Sequence, residues 1–256
     1  MRDPHVNWLT YRMGHSSDVS YENPPQLSFS CEGFTGTLKD EILTVAMKDH
    51  FASVAEARSH VEGFLRAWEL HDRILGARDE ISFTFDDAEV VDRDPVPPGK
   101  DQVVSVEAAV LSLSGTTVSL HVTRKSYPAP PTGFVVTPDV ETMWQRYEGY
   151  RAGREPLLSM GYFCLSAVEV AAGGRREAAN RYEIGEKVLR KIGELTSERG
   201  DEKTARKMSR TNAVKPMSHR EKAWLEEALK VVIARVAEVA GGKSVQQLTM
   251  DDLPRL

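Results

Sequence analysis

The amino-acid sequence predicts an α+β protein in which an antiparallel sheet with one long helix is followed by a four-helix bundle. Apolar residues alternate with polar ones through much of the first half, a pattern typical of half-buried strands. From residue 137 onward they recur at helical spacing instead. This change of period divides the chain into a strand-rich α+β domain at residues 1–136, a helical bundle at residues 137–242 and a tail at residues 243–256.

The predicted sheet has about six strands, because six segments show two-residue alternation bounded by turn residues. The tripeptide Thr35-Gly36-Thr37 is interpreted as the turn between the second and third strands. Proline lacks the N–H that a central strand must donate, so two proline-rich stretches, at residues 94–99 and 128–133, are expected to be loops. The expected strands are residues 6–13, 26–34, 41–48, 81–85, 104–110 and 118–122.

One long helix is expected within the strand-rich half. Ser53 is followed three residues later by Glu56, which is the spacing of a capping box at a helix start. Apolar residues then recur on one face as far as Gly76. The helix therefore has a single apolar face with which to cover a sheet.

The second half predicts four helices. Thr137 followed by Pro138 indicates the first helix start, and Ser218 with Glu221 forms a second capping box before the last helix. The second helix is apolar nearly all round, which favours a central position. The first predicted helix begins at residue 137 and extends at least to residue 147, and the others cover residues 156–172, 175–199 and 218–241.

The composition excludes several classes of protein. The hydrophobic content of 41% over 256 residues excludes disorder of the whole chain. No run of 18 apolar residues occurs and the first residues are charged, so we expect a cytoplasmic protein with no membrane contact. Cys31 and Cys164 fit free thiols. Neither phosphate-binding glycine loops nor the spacing of zinc ligands occurs, so no cofactor and no metal are expected.

Charge is distributed unevenly along the chain. Residues 1–173 carry 15 basic and 25 acidic residues, whereas residues 174–222 carry 14 basic and 8 acidic ones. Such asymmetry favours an anionic partner near the basic stretch, although the basic residues can equally form a solvated face. The candidate anion- or nucleic-acid-binding residues are Lys203, Arg206, Lys207, Arg210, Lys215 and Arg220.

The helical half, over roughly residues 138–241, resembles the HEPN family of four-helix domains found in bacterial toxins, defence proteins and ribonucleases. The resemblance rests on the helix order and on the basic connector before the last helix. Nuclease members carry an Arg and, after four to six residues, a His near the start of that helix. The corresponding residues here are Arg210 and His219, which are separated by eight residues. The resemblance thus names Arg210 and His219 as the catalytic candidates.

Three functions are compatible with the sequence. We expect a non-catalytic binding or assembly protein, with a protein partner or a homodimer through bundle helices and nucleic acid as a further partner of the basic segment. The resemblance places it in a bacterial defence or regulatory system. The first alternative is a metal-independent ribonuclease in which His219 acts as acid or base. The second is a small-ligand sensor with a pocket between the two halves.

Overall fold

The structure, a computed structural model, describes residues 3–75, 80–94, 122–199 and 215–256. The prediction of an α+β fold is confirmed, because a five-stranded antiparallel sheet is accompanied by six α-helices in these residues. The chain divides into a strand-rich unit, residues 1–65 and 76–130, and a helical unit, residues 66–75 and 131–256. The division falls within the long helix.

The sheet of the strand-rich unit has the strand order β3-β4-β5-β1-β6, and every pair in it is antiparallel. Strand β1 is central and pairs with β5 on one side and β6 on the other, so its apolar residues Leu9, Tyr11 and Met13 are buried. The strands are β1 (Pro4–Gly14), β3 (Leu27–Ser30), β4 (Phe34–Lys39), β5 (Ile42–Met47) and β6 (Ser82–Asp92).

The predicted turn at residues 35–37 is wrong, because these residues lie inside β4. Gly36 pairs with Phe29 and Val45, and a side chain at Gly36 would collide with the Phe29 ring. The glycine therefore marks close packing of a ring on a strand. The actual turn to β5 is at Asp40 and Glu41, which have φ of 50° and 61°, as a tight two-residue hairpin requires.

Helix α1 (Val54–Leu75) confirms the predicted long helix, and Ser53 Oγ accepts a hydrogen bond from Glu56 N at 3.3 Å. Its first turns pack on the sheet through aromatic rings. The Phe64 ring lies 5.2 Å from that of Phe29 and 5.5 Å from that of Phe34. These rings bury the apolar face of the helix that the sequence predicts.

A second, two-stranded sheet is parallel, which the sequence did not predict. It joins β2 (Val19–Tyr21) to β7 (Val122–Arg124). The predicted strand at residues 104–110 and most of that at residues 118–122 lie outside the described residues, so their pairing stays a prediction. The proline-rich residues 128–133 lack regular structure, as expected.

The described residues of the helical unit form five further helices. Thr137 Oγ1 accepts a hydrogen bond from Val140 N, and Ser218 forms the predicted capping box with Glu221, so both predicted helix starts are confirmed. The helices are α2 (Pro138–Arg151), α3 (Leu157–Ala172), α4 (Arg175–Arg181), α5 (Glu186–Glu198) and α6 (His219–Ala240).

Helix α3 is the central helix of this unit, as its composition predicts, since it packs against α2, α4, α5 and α6. Gly161 permits the close approach of α3 to its neighbours, because a Cβ there would lie 3.0 Å from Thr196 Cγ2 and 3.2 Å from Leu229 Cδ1. In the described part of the chain, no single helix has both the length and the apolar composition needed to cross a membrane.

The third predicted bundle helix, residues 175–199, is instead two helices. It breaks between α4 and α5, where Glu183 adopts a φ of 49°. The residues after α6 pair there, since Leu248 N donates to Glu183 O at 2.8 Å and Gly185 N donates to Leu248 O at 2.7 Å. The described residues after 137 thus form five helices, where the sequence predicts four. Residues 243–256, predicted as a tail, place Leu248 and Leu253 in the core.

Two ion pairs join α1 to α2 within the helical unit. Arg66 binds Glu141 and Arg73 binds Glu148, each at 2.8 Å. The two partners on each helix are seven residues apart, which is two helical turns. From the first pair to the second, the residue number rises on both helices. The last ten residues of α1 therefore run parallel to α2.

Candidate functional site

The start of α6 is the part of the predicted basic segment that the structure describes. Ser218 Oγ accepts from Glu221 N at 3.2 Å, and Glu221 Oε2 accepts from Ser218 N at 2.8 Å. These hydrogen bonds, together with Arg199, lower the pKa of the Glu221 carboxyl. The first turn of the helix is therefore held in place by its own side chains.

Arg199 fixes the end of α5 beside this helix start. Its Nε lies 2.9 Å from Glu221 Oε1, and the two side chains are only 18% and 17% exposed. The backbone of Arg199 also bridges to that of Lys215. Because the charge of Glu221 is matched by Arg199, this carboxylate does not neutralise the cations that follow the bridge.

Three predicted site residues lie at this place and are exposed: Lys215, His219 and Arg220. Lys222 is exposed as well and reaches Glu226 only at 3.9 Å. We call Lys215, His219, Arg220 and Lys222 the basic surface. Its positive charge and the N-terminal end of α6 both favour an anion.

The remaining predicted site residues, Lys203, Arg206, Lys207 and Arg210, lie outside the described residues. The pairing of Arg210 with His219 consequently stays a prediction. The His219 imidazole has no hydrogen bond or ion pair with a described residue. A general base usually has a neighbour that orients its ring, so this imidazole lacks such support within the described part of the chain.

Arg66 and His71 have the spacing of the HEPN nuclease motif, but their contacts are structural. Arg66 binds Glu141 through two hydrogen bonds, at 2.9 and 2.8 Å. The His71 ring packs edge-on against Phe134 at 5.2 Å, and burial lowers the His71 pKa. The two side chains therefore have different partners, as a separation of about 140° around the helix requires.

The acidic residues at the end of the sheet do not form a metal site. Asp86 binds Arg12 at 2.9 Å, and Glu89 binds the Asn7 amide. No group of three or more potential His, Cys, Asp or Glu ligands occurs among the residues that the structure describes. Both cysteines are free, and burial raises the pKa of the Cys164 thiol to about 12, which makes it a poor nucleophile.

Sequence reasoning missed a cluster of four side chains at the beginning of β1. His5 is 4% exposed, and its ring stacks on that of His50 with centroids 5.3 Å apart. His50 Nε2 lies 3.0 Å from Asp3 Oδ1, and Arg93 Nη2 lies 2.8 Å from His5 Nε2. We call Asp3, His5, His50 and Arg93 the imidazole cluster.

No sequence pattern could have revealed the imidazole cluster, because its members come from three places far apart in the chain. A register shift in the pairing of β1 with β6 interrupts the alternation of β1 after Val6, so His5 and Val6 are both buried. His50 follows β5 and Arg93 follows β6. Only the antiparallel pairing of these strands brings them together.

Three tyrosines have packing contacts: Tyr127, Tyr147 and Tyr150. The Tyr127 hydroxyl accepts from Glu41 N at 3.0 Å in the strand-rich unit. In the helical unit, Tyr147 stacks on Trp144 with centroids 5.1 Å apart, and the Tyr150 hydroxyl donates to Glu226. These contacts are those of ordinary aromatic packing with a satisfied polar end.

Comparison with known proteins adds no family to these observations. No protein-family model, no curated protein and no solved structure matches the chain. The resemblance to HEPN domains therefore stays a prediction.

Proposed function

We propose that the chain is a non-catalytic binding and assembly protein that holds an anionic partner at the basic surface. The observation that supports this most directly is the Arg199–Glu221 pair at 2.9 Å. It fixes the end of α5 beside the start of α6 and occupies the Glu221 carboxylate. Lys215, Arg220 and Lys222 then present positive charge from a rigid helix start, which reduces the entropy cost of binding.

A catalytic role has less support in the described residues. Acid–base cleavage of RNA requires two groups that converge on one phosphate, each held at hydrogen-bonding distance. His219 is exposed, and its ring has no described partner. The arrangement suits contact with the surface of an anion more than proton transfer within a closed site.

Charge reversal at the basic surface is expected to abolish binding to a polyanion. The double variant Lys215→Glu with Arg220→Glu should elute from heparin at much lower salt than the unmodified protein. Its affinity for single-stranded RNA should depend on salt with a slope lower by about two, since each lost phosphate contact removes about one counterion. Fluorescence anisotropy over a series of salt concentrations measures both quantities.

The matched control is Lys187→Glu with Arg190→Glu, which makes the same change of net charge on the exposed side of α5. It should retain binding. Equal loss in both variants would show a non-specific charge effect and reject the basic surface. Cleavage of the RNA in EDTA that disappears in His219→Ala would instead establish the ribonuclease alternative and overturn the non-catalytic proposal.

Assembly is supported by one exposed apolar side chain on α3, that of Val170. Phe163 and Ala167 lie on the same face of the helix but are partly buried against the core. Val170 is 81% exposed, although it belongs to the central helix of the unit. Arg146 covers Phe163, with its guanidinium 4.1 Å from the ring centroid. A second copy of the chain would bury Val170, which is the homodimer that we propose.

Adding a charge at Val170 is expected to weaken the homodimer. Val170→Lys should convert a concentration-dependent dimer into a monomer, because a lysine ammonium is costly to desolvate in an apolar contact. Light scattering after size-exclusion chromatography measures the mass. The control Asn180→Lys places the same charge at an exposed position of α4. A wild-type protein that stays monomeric at high concentration would exclude this interface.

A further inference from the structure

The imidazole cluster connects two strand ends. Asp3 and His5 belong to the beginning of β1, Arg93 follows the last residue of β6, and His50 lies in the connection from β5 to α1. Backbone bonds support this connection, since Arg93 N donates to Asp3 O and Val6 N donates to Phe51 O, both at 2.9 Å. The four side chains thus lie where the backbone pairing of the central strand β1 begins.

The position of the proton on His5 follows from its partner. A guanidinium can only donate, so Arg93 Nη2 donates and His5 Nε2 accepts the hydrogen bond of 2.8 Å. The single proton of a neutral ring must then lie on Nδ1. A protonated His5 has no lone pair at Nε2, and the bond from Arg93 cannot exist in that state.

The charged groups around His5 oppose its protonation. Burial of the ring lowers the His5 pKa most, Arg93 and then His50 lower it further, and Asp3 raises it. Asp3 is shared, because its Oδ1 binds His50 while its N–H donates to Asp92 Oδ1 at 3.1 Å. Its carboxylate is therefore engaged with His50, and Arg93 remains the direct hydrogen-bond partner of His5.

His5 Nδ1 is buried and has no hydrogen-bond partner. A buried donor without an acceptor is less stable than the same group in water. Opening of the strand ends would hydrate this N–H, so part of the cost of opening is recovered. The closed arrangement is consequently less stable than its backbone pairing alone would make it.

We propose that His5 is a proton-sensitive latch that joins the beginning of β1 to the end of β6 and releases Arg93 in mild acid. In the closed state the neutral ring accepts from Arg93 and stacks on His50. Protonation of His5 removes the acceptor and places a cation against Arg93. The two cations, His5 and Arg93, then repel each other. The beginning of β1 and the end of β6 separate locally, while the centre of the sheet remains paired.

The direction of the pH dependence follows from linkage. The folded-state pKa of His5 is lowered, so the unfolded or locally open state binds a proton more readily. The stabilisation by the latch is complete above the ordinary histidine pKa of about 6.5. It is lost progressively as pH falls from there towards the lowered folded-state value, and the opening constant rises about tenfold for each pH unit in that window.

The test uses the whole protein and two readouts. NMR follows the His5 imidazole carbons between about pH 5 and pH 8, across the range in which histidine ordinarily titrates. Hydrogen exchange follows the Val6 and Arg93 amides over the same range, corrected for the intrinsic rate. In the wild type, His5 should titrate below the ordinary histidine value, and protection of both amides should fall as His5 becomes protonated.

His5→Gln supplies the variant, because a glutamine oxygen can accept from Arg93 but does not titrate. Its amide protection should be independent of pH. The control His15→Gln changes a ring at the opposite end of β1, whose Nδ1 is bonded to Ser16 O at 3.0 Å, and should keep the wild-type pH dependence. An ordinary His5 titration, or pH-dependent protection that persists in His5→Gln, would overturn the proposal even if the glutamine variant folds poorly.

Discussion

Replacing Gly241 by alanine is expected to destabilise the helical unit by about 1–3 kcal/mol, the usual range for forcing an atom into a packed site. A Cβ at this position would lie 2.6 Å from Phe134 N and would also collide with the carbonyl group of Gly133. Both obstacles are backbone atoms, which cannot rotate away as a side chain would. The φ of Gly241 is −80°, so the cost is steric and involves no left-handed backbone.

The segment that Gly241 contacts is tied to α6. Val135 N donates to Ala237 O at 3.0 Å, and Phe134 is buried in the core. Moving this segment to make room for a methyl group would break that hydrogen bond or withdraw the Phe134 ring. Unfolding in urea followed by circular dichroism measures the loss, with hydrogen exchange at Val135 assigning it to this unit.

The matched control is Gly63→Ala. Gly63 is an exposed residue inside α1, and nothing lies within 4 Å of a Cβ placed there. Alanine should stabilise the protein by about 0.5–1 kcal/mol through its higher helix propensity. Equal stability of Gly241→Ala and the wild type would contradict the close backbone approach.

Removing the charge of Glu141 is expected to lower the stability of the helical unit by about 2 kcal/mol at neutral pH, as for other charge-assisted hydrogen bonds of partly buried groups. Arg66 donates to both oxygens of this carboxylate, and Gln145 Nε2 donates to one of them at 3.1 Å. Glu141→Gln keeps the shape of the side chain but loses the bidentate pair. Urea unfolding at several pH values is the measurement.

The same contact determines how the effect varies with pH. The hydrogen bonds from Arg66 lower the pKa of Glu141 from its usual value of 4.5. The stabilisation is therefore present above about pH 4.5 and is lost as pH falls through the lowered folded-state value. The difference between the wild type and Glu141→Gln should be largest at neutral pH and should shrink in acid.

Glu186→Gln is the control for this pair. Glu186 forms a pair with Arg190 at 2.8 Å on the same helix, but the side chains are 50% and 67% exposed. Removing this pair should change stability by less than about 0.5 kcal/mol. A double-mutant cycle with Arg66→Ala measures the coupling between Arg66 and Glu141, and a coupling near zero would show that the pair contributes nothing.

Local sequence signals predicted the helix starts correctly. Ser53, Thr137 and Ser218 each accept a backbone hydrogen bond at the predicted position, because a helix start is determined by a side chain and its immediate neighbours. Glycines were harder to interpret. Gly36 was predicted to be in a turn but lies in β4, where the Phe29 ring requires it to lack a side chain. The reason for that glycine lies on another strand.

The predicted site could be placed only in part. His219 and Arg220 follow a recognisable helix start at Ser218, and Lys215 precedes it closely, so their position on the basic surface was available from the sequence. The imidazole cluster was not, because His5, His50 and Arg93 are joined by strand pairing. The ion pairs between α1 and α2 were not predictable for the same reason, since Arg66 and Glu141 are 75 residues apart in the sequence.

The sequence by itself determined the α+β class and the starts of α1, α2 and α6, because period and capping depend on residues within a few positions of one another. Tertiary structure alone decided the break between α4 and α5 and the packing of Leu248 and Leu253. It also decided the partner of each buried charge. Those outcomes depend on which distant segments bury apolar surface against each other. The free energy of this burial cannot be read from residues that are neighbours in the sequence.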